Sequence, residues 1–203
     1  SPRDCYRARM VPNNDIEAAA QALRDGRLVA FPTETVYGLG ADATNGEAVA
    51  RVYAAKGRPS FNPLIAHVPD AEAAFALGDF SPEARALAQA FWPGPLSLVV
   101  PRRADCPVSL LASSGLDSIA IRVPAHPVAL DLLRATGRPV VAPSANPSGK
   151  ISPTTAEHVR RHLKDKVAMV LDGGRCKVGV GSTVVSFLAD GPKLLRHGGT
   201  PKA

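Results

Sequence analysis

The strongest constraint on this chain is an end-to-end alternation of helix-period and strand-period segments, punctuated by glycine and proline. Such a pattern folds as α/β layers rather than as a helix bundle or a β-sandwich. It predicts a helix over 14–25, capped by Asn14, with Glu17 three residues on and Ile16, Ala19, Ala20 and Leu23 along one face. Gly26 ends that helix, and 27–31 reads as a strand. Thr44 and Glu47 form a capping box for a second helix that turns Val49, Val52 and Tyr53 inward and stops at Gly57. A strand over 64–68 follows. Ser81-Pro82-Glu83 opens a further helix, which Pro93-Gly94-Pro95 breaks near Trp92. Beyond it come strands over 96–101 and 118–123, a helix over 127–135 closed by Gly137, and a strand over 140–142. Thr154 and Glu157 open the last helix, ending near Lys166, and strands cover 167–171, 182–188 and 193–196. With no repeat, linker or low-complexity stretch, the expectation is one α/β domain over 1–203, built on a mixed sheet.

Composition narrows the classes. Apolar residues make up 45% and charged residues 21% of the 203, which excludes a solvating, disordered chain. A chain of this size buries a core without a metal or disulfide staple. Cys5, Cys106 and Cys176 are odd in number and form no CxxC pair, so the expected setting is a reducing, cytoplasmic one. No uncharged apolar run approaches the ~20 residues of a membrane-crossing helix. Ser1-Pro-Arg-Asp is not followed by an apolar signal core. The net charge of +6 suits nucleic acid, nucleotides or other phosphates equally. Aromatics at 5% speak against a base-stacking platform.

Four polar segments sit where α/β proteins place ligand sites, at the ends of strands and helices. Pro32 to Gly40 carries hydroxyls and glycines that suit either a small polar ligand or a tight turn. Lys56-Gly57-Arg58-Pro59 with Asn62-Pro63 can grip a triphosphate, Arg forking two oxygens, or can merely complement a helix dipole. Its glycine spacing matches neither a Walker loop nor a dinucleotide fingerprint. Ser144-Ala145-Asn146-Pro147-Ser148-Gly149, then Ser152 to Thr155, offers hydroxyl and amide donors leading into a helix N-terminus. Gly179-Val180-Gly181-Ser182-Thr183 enters a strand and allows close backbone approach or a bulge. His67 alternates with Ile65 and suits a satisfied core imidazole as well as a ligand site. Arg122, inside an apolar strand, needs a partner, and an acidic ligand is one candidate. Arg196, after Leu194 and Leu195, is ambiguous. No HExxH, GxSxG or metal-spaced His/Cys cluster is present, which argues against zinc hydrolysis and a hydrolase elbow.

Taken in order, Phe31-Pro-Thr-Glu-Thr-Val-Tyr-Gly-Leu-Gly-Ala, Lys56-Gly-Arg-Pro with Asn62-Pro-Leu-Ile, Ser144-Ala-Asn-Pro-Ser-Gly and Gly181-Ser-Thr-Val-Val resemble the YrdC-like threonylcarbamoyl-AMP synthases, across roughly residues 14–199. The resemblance implies a twisted, largely parallel α/β sheet around a central, positively lined cavity. It implies an ATP-dependent reaction in which threonine and bicarbonate yield threonylcarbamoyl-AMP and pyrophosphate. A partner transferase complex then moves the threonylcarbamoyl group to an adenosine beside the tRNA anticodon. On that resemblance Lys56 and Arg58 grip the triphosphate and are the catalytic pair, with Mg2+ carried through the ATP phosphates. Asn62, Ser118, Ser144, Asn146, Ser152 and Arg196 join them around ATP. Thr35, His67, Arg122, Ser182 and the backbone of Ala142 surround threonine. Gly181 and Ser186 depart from family acidic positions beside that threonine pocket. Longer members carry a second C-terminal domain, which is expected to be absent from this chain. The competing expectations are a related carbamoyl-adenylate domain of another pathway and a basic RNA-binding module with weak tRNA affinity.

Overall fold

A computed structural model of the chain describes residues 10–177 and 182–196. Six α-helices and nine strands are formed among them. The helices are α1 (Asn13–Arg24), α2 (Gly46–Lys56), α3 (Ala71–Phe75), α4 (Pro82–Phe91), α5 (Pro127–Thr136) and α6 (Ala156–Leu163). The strands are β1 (Val29–Pro32), β2 (Tyr37–Asp42), β3 (Ile65–His67), β4 (Leu96–Pro101), β5 (Ser118–Arg122), β6 (Val140–Val141), β7 (Met169–Val170), β8 (Thr183–Leu188) and β9 (Gly191–Arg196).

All nine strands join in one sheet, in the order β7-β1-β2-β6-β3-β5-β4-β8-β9. The sheet is mixed, as expected, but not largely parallel. Its parallel junctions are β1 with β7, β3 with β5 and β4 with β8, and the other five are antiparallel. Hairpin closure is the reason at β1–β2 and β8–β9, where the connections are too short for a parallel crossover.

The side-chain alternation of the strands sorts the core onto two faces. Val29 and Phe31 of β1 and Val140 of β6 pack with Ile16, Ala20 and Leu23 of α1 and Leu132 and Leu133 of α5. Ala30 and Val141, on the other face, join Val49 and Val52 of α2 and Val159 and Leu163 of α6. α4 covers the far end of that second face through Ala88 against Leu96 and Leu98.

Several helix starts differ from expectation. Asn14 lies within α1, whose cap position is Pro12 and has no side-chain cap. Thr44 gives both its hydroxyl and its N–H to Asp42 Oδ1 instead of capping α2. Asn45 caps that helix, accepting from the Glu47 and Ala48 N–H groups. Thr155, not Thr154, caps α6. Ser81 caps α4 and Gly137 closes α5 as expected. β2 and α3 were not foreseen.

Candidate functional site

A single row of residues crosses the sheet through its register: Val140 on β6 opposite His67 on β3, then Arg122 on β5, Ser97 on β4 and Val184 on β8. One end of this row, at Val140, belongs to the face that α1 and α5 bury. Beyond it the face turns polar, and it floors a partly open cavity of about 160 Å³. Arg58, His67, Arg122, Ser144, Ser182 and Arg196 are among its lining residues. Thr35, Ala142 and Ser152 line it too.

The three arginines bring charge into a space that offers little water. Burial, then the neighbouring Arg196, pushes Arg122 down to about 10. Arg58 is lowered by burial and by Arg196, and Arg196 by burial. Each guanidinium is held by backbone. Arg58 donates from Nε to the Asn62 carbonyl at 3.3 Å and from Nη2 to that of Pro63 at 2.8 Å. Arg196 donates to the Ser182 carbonyl at 2.8 Å and to its hydroxyl at 3.0 Å, which ties β9 across to the start of β8. Arg122 donates from Nε to the Gly94 carbonyl at 3.1 Å and from Nη2 to Glu34 Oε1. The partner that a cation in an apolar strand requires is therefore a carboxylate of this same chain.

His67 is buried, and loss of hydration pushes it down to about 4, so its imidazole is neutral at pH 7. Its Nδ1 lies 3.0 Å from the Ile65 carbonyl. Thr35 is polarised by its neighbour. Thr33 spends its one hydroxyl proton on the Val36 carbonyl at 2.7 Å, so in the 3.0 Å contact between the two threonines Thr35 must donate. The Thr35 oxygen is left as an acceptor. Gly38, at the start of β2, lets that strand approach the segment that follows β6: a Cβ there would meet the Ala142 Cβ at 3.0 Å and its carbonyl oxygen at 3.2 Å.

Lys56, Asn62, Ser118 and Asn146 do not line the cavity. Lys56 is only 4% exposed, because its ammonium donates to the Ser144 and Asn146 carbonyls at 2.6 Å each. It clamps the loop after β6 rather than standing in solvent. Burial, then Arg58, pushes it down to about 8. Asn62 is exposed and contributes through its carbonyl, which accepts from Arg58 and from the Tyr53 hydroxyl. Ser118 shares Arg122's face of β5 but sits at the strand's other end. Asn146 turns its amide N–H groups into its own loop, onto the Pro147 and Lys150 carbonyls, and leaves Oδ1 buried without a partner. Gly179, Val180 and Gly181 lie outside the described residues; Ser186 is buried on β8 opposite Val99 and Lys193, away from the cavity lining. Glu34 was not singled out as a site residue, although it lies inside the first polar segment.

An uncovered, polar stretch of sheet lined by arginines, hydroxyls and a neutral imidazole gives this α/β fold a cavity whose donors match phosphorylated and carboxylated ligands. The chain belongs to the Sua5/YciO/YrdC family, whose model, described as telomere recombination, matches residues 21–198. It is 52% identical over 188 residues to a threonylcarbamoyl-AMP synthase of Bacillus subtilis, covering 92% of this chain and 54% of the relative. It is 50% identical to one of Pyrococcus abyssi over 187 residues, with the same coverage. The chain thus spans about half the length of these curated relatives. The fold superposes with a TM-score of 0.89 on P. abyssi Sua5 complexed with L-threonine, at 48% identity, covering 95% of this chain and 56% of that one. Escherichia coli YciO, at 22% identity and a TM-score of 0.85, shares the fold.

Proposed function

We propose that this chain makes threonylcarbamoyl-AMP from L-threonine, bicarbonate or CO2, and ATP, releasing pyrophosphate. The observation that carries the reading is the convergence of Arg58, Arg122 and Arg196 in one cavity with Thr35, His67 and Ser182. A P. abyssi relative of the same fold has been solved with L-threonine.

The chemistry needs two steps. The threonine amine attacks the carbon of CO2, loses a proton and becomes a carbamate. A carbamate oxygen then attacks the α-phosphorus, and the bond from that phosphorus to the bridging oxygen breaks, expelling pyrophosphate. Negative charge accumulates in both steps, so catalysis is positioning plus charge neutralisation. Arg58 and Arg196, with Ser144 and Ser152, take the nucleotide. Lys56, Asn62 and Asn146 support that end from behind, Lys56 through the Ser144–Asn146 loop and Asn62 through its carbonyl on Arg58, while Ser118, at the far end of β5, would reach only an extended nucleotide. Arg122 takes the threonine carboxylate, and Thr35, Ser182 and the Ala142 backbone surround the rest. A neutral His67 adds no positive charge beside an amine that must lose its own proton to react. The donor set is cationic and hydroxylic, and among the described residues no three His, Cys, Asp or Glu side chains gather to hold a metal. Mg2+ therefore fits as an ion carried by the ATP phosphates, where it would neutralise charge on the leaving pyrophosphate.

The product is suited to a tRNA-modifying transferase complex, in a reducing cytoplasmic setting compatible with the free thiols of Cys106 and Cys176. The test is pyrophosphate release from ATP and Mg2+, with threonine and bicarbonate omitted in turn. Release that requires both is expected. Release indifferent to threonine would move the activity to another carbamoyl-adenylate, and tRNA binding without turnover would replace the enzyme reading with an RNA-binding one.

A further inference from the structure

Glu34 has no place among the cavity-lining residues, yet it is wired to Arg122 on β5 and to the turn that follows that strand. It stands in the loop between β1 and β2, flanked by Thr33 and Thr35, and its side chain is 15% exposed. Oε1 accepts from Arg122 Nη2, and Oε2 accepts from the Ala125 N–H at 2.6 Å. Arg122 is fixed from its other side by the Gly94 carbonyl on its Nε. The guanidinium plane is thus held at two of its three nitrogens, one by the loop before β4 and one by Glu34. The remaining donors of a five-donor fork are left for a ligand. The same residue joins Thr35's loop to the turn that leads into α5, so the Thr35 oxygen and the Arg122 fork cannot move independently.

We propose that Glu34 is a positioning residue for recognition of the amino-acid carboxylate by Arg122. This rests on the reading of the cavity as a threonine site. Two features favour positioning over a resident carboxylate that substrate must displace. The Ala125 N–H gives Glu34 a second partner that has nothing to do with Arg122, and Glu34 itself lies outside the cavity lining. A carboxylate left behind the fork also offsets part of the repulsion among Arg58, Arg122 and Arg196 when the ligand is absent.

The experiment compares wild type, Glu34→Gln and Glu34→Asp in L-threonine calorimetry and in pyrophosphate release. Gln keeps the length and one acceptor for the Ala125 N–H but loses the charge on Arg122, and Asp keeps the charge but falls one methylene short. Glu34→Gln is expected to raise the threonine Kd and KM about tenfold, with the ATP KM within about twofold and the melting temperature little changed. Glu34→Asp is expected to recover part of the loss. Arg122→Lys is expected to be non-additive with Glu34→Gln, because the two act as one unit. Unchanged threonine affinity in Glu34→Gln would overturn the proposal. So would tighter threonine binding, which would make Glu34 a displaceable stand-in, and so would equal rises in both KM values, which would make it a structural prop. Wild type that binds no threonine would instead overturn the functional reading beneath it.

Discussion

Each cation at or beside the candidate site has different neighbours, so each is expected to answer substitution differently. Among the described residues, half-buried Arg58 is anchored on the Asn62 and Pro63 carbonyls and belongs to no core cluster, so Arg58→Ala removes charge without emptying a core. Turnover is expected to fall by about 100-fold or more with the melting temperature within a few degrees of wild type, read by pyrophosphate release and circular dichroism. Lys56 differs, since its ammonium is buried on two carbonyls and is pushed down to about 8. A base lowered in this way carries its charge below about pH 8 and loses it above. ATP affinity is therefore expected to weaken as pH rises from 8 to 10, and Lys56→Met is expected to flatten that dependence, measured as the ATP Kd across the range. The lysine and the arginine look alike in Lys56-Gly57-Arg58, because sequence spacing is silent on where a side chain turns after a helix ends. Arg122 was legible as a charge in need of a partner. Glu34 was not legible as that partner, because the two are 88 positions apart and only the sheet brings them together.

Among the elements, the long amphipathic helices were readable and the glycine-rich strand was not. α1, α4 and α5 follow from their apolar spacing and from the Pro, Ser and Gly that bound them. β2 reads as a turn because Tyr37-Gly38-Leu39-Gly40 lacks strand-forming side chains at alternate positions. Its glycines answer to packing: a Cβ at Gly40 would meet the Phe31 ring at 2.8 Å and the Val29 carbonyl oxygen at 2.9 Å. Capping shifted by one residue at α2 and α6 because adjacent Thr-Asn and Thr-Thr pairs offer two equivalent candidates. α5 carries a cap with a pH dependence. His126 Nδ1 accepts from the Val128 N–H at 3.1 Å, which requires an unprotonated ring nitrogen, and burial pushes its pKa down to about 4. Between about 6.5 and 4 the unfolded chain binds the proton that the folded one refuses, so stability is lost as pH falls through that window. His67 acts in the same sense. Denaturant midpoints between pH 7 and 4.5 are expected to fall, and His126→Asn, which keeps an N-terminal cap worth about 1 kcal/mol, is expected to make the fall shallower.

At the scale of the molecule, the α/β class and the single mixed sheet were legible from alternation, while the strand order and the predominance of antiparallel pairing were set by contacts that no local pattern records. The site exists because α1 and α5 cover only one end of a sheet face and leave the other end to Arg58, Arg122 and Arg196. Three cations gathered without equal counter-charge make the empty protein less stable than the occupied one. ATP at about a hundredfold over its Kd is expected to add about 2.7 kcal/mol, which for a domain of this size is a melting-temperature rise of about 5–10 °C by scanning calorimetry. Added salt is expected to shrink that gain, because the cavity is partly open. The row from His67 through Arg122 to Ser97 has a metric consequence as well. Neighbouring strands are locked about 4.8 Å apart by their ladder. The spacing of His67, Arg122 and Ser97 is therefore a ruler with fixed graduations, written into the backbone rather than into any one side chain.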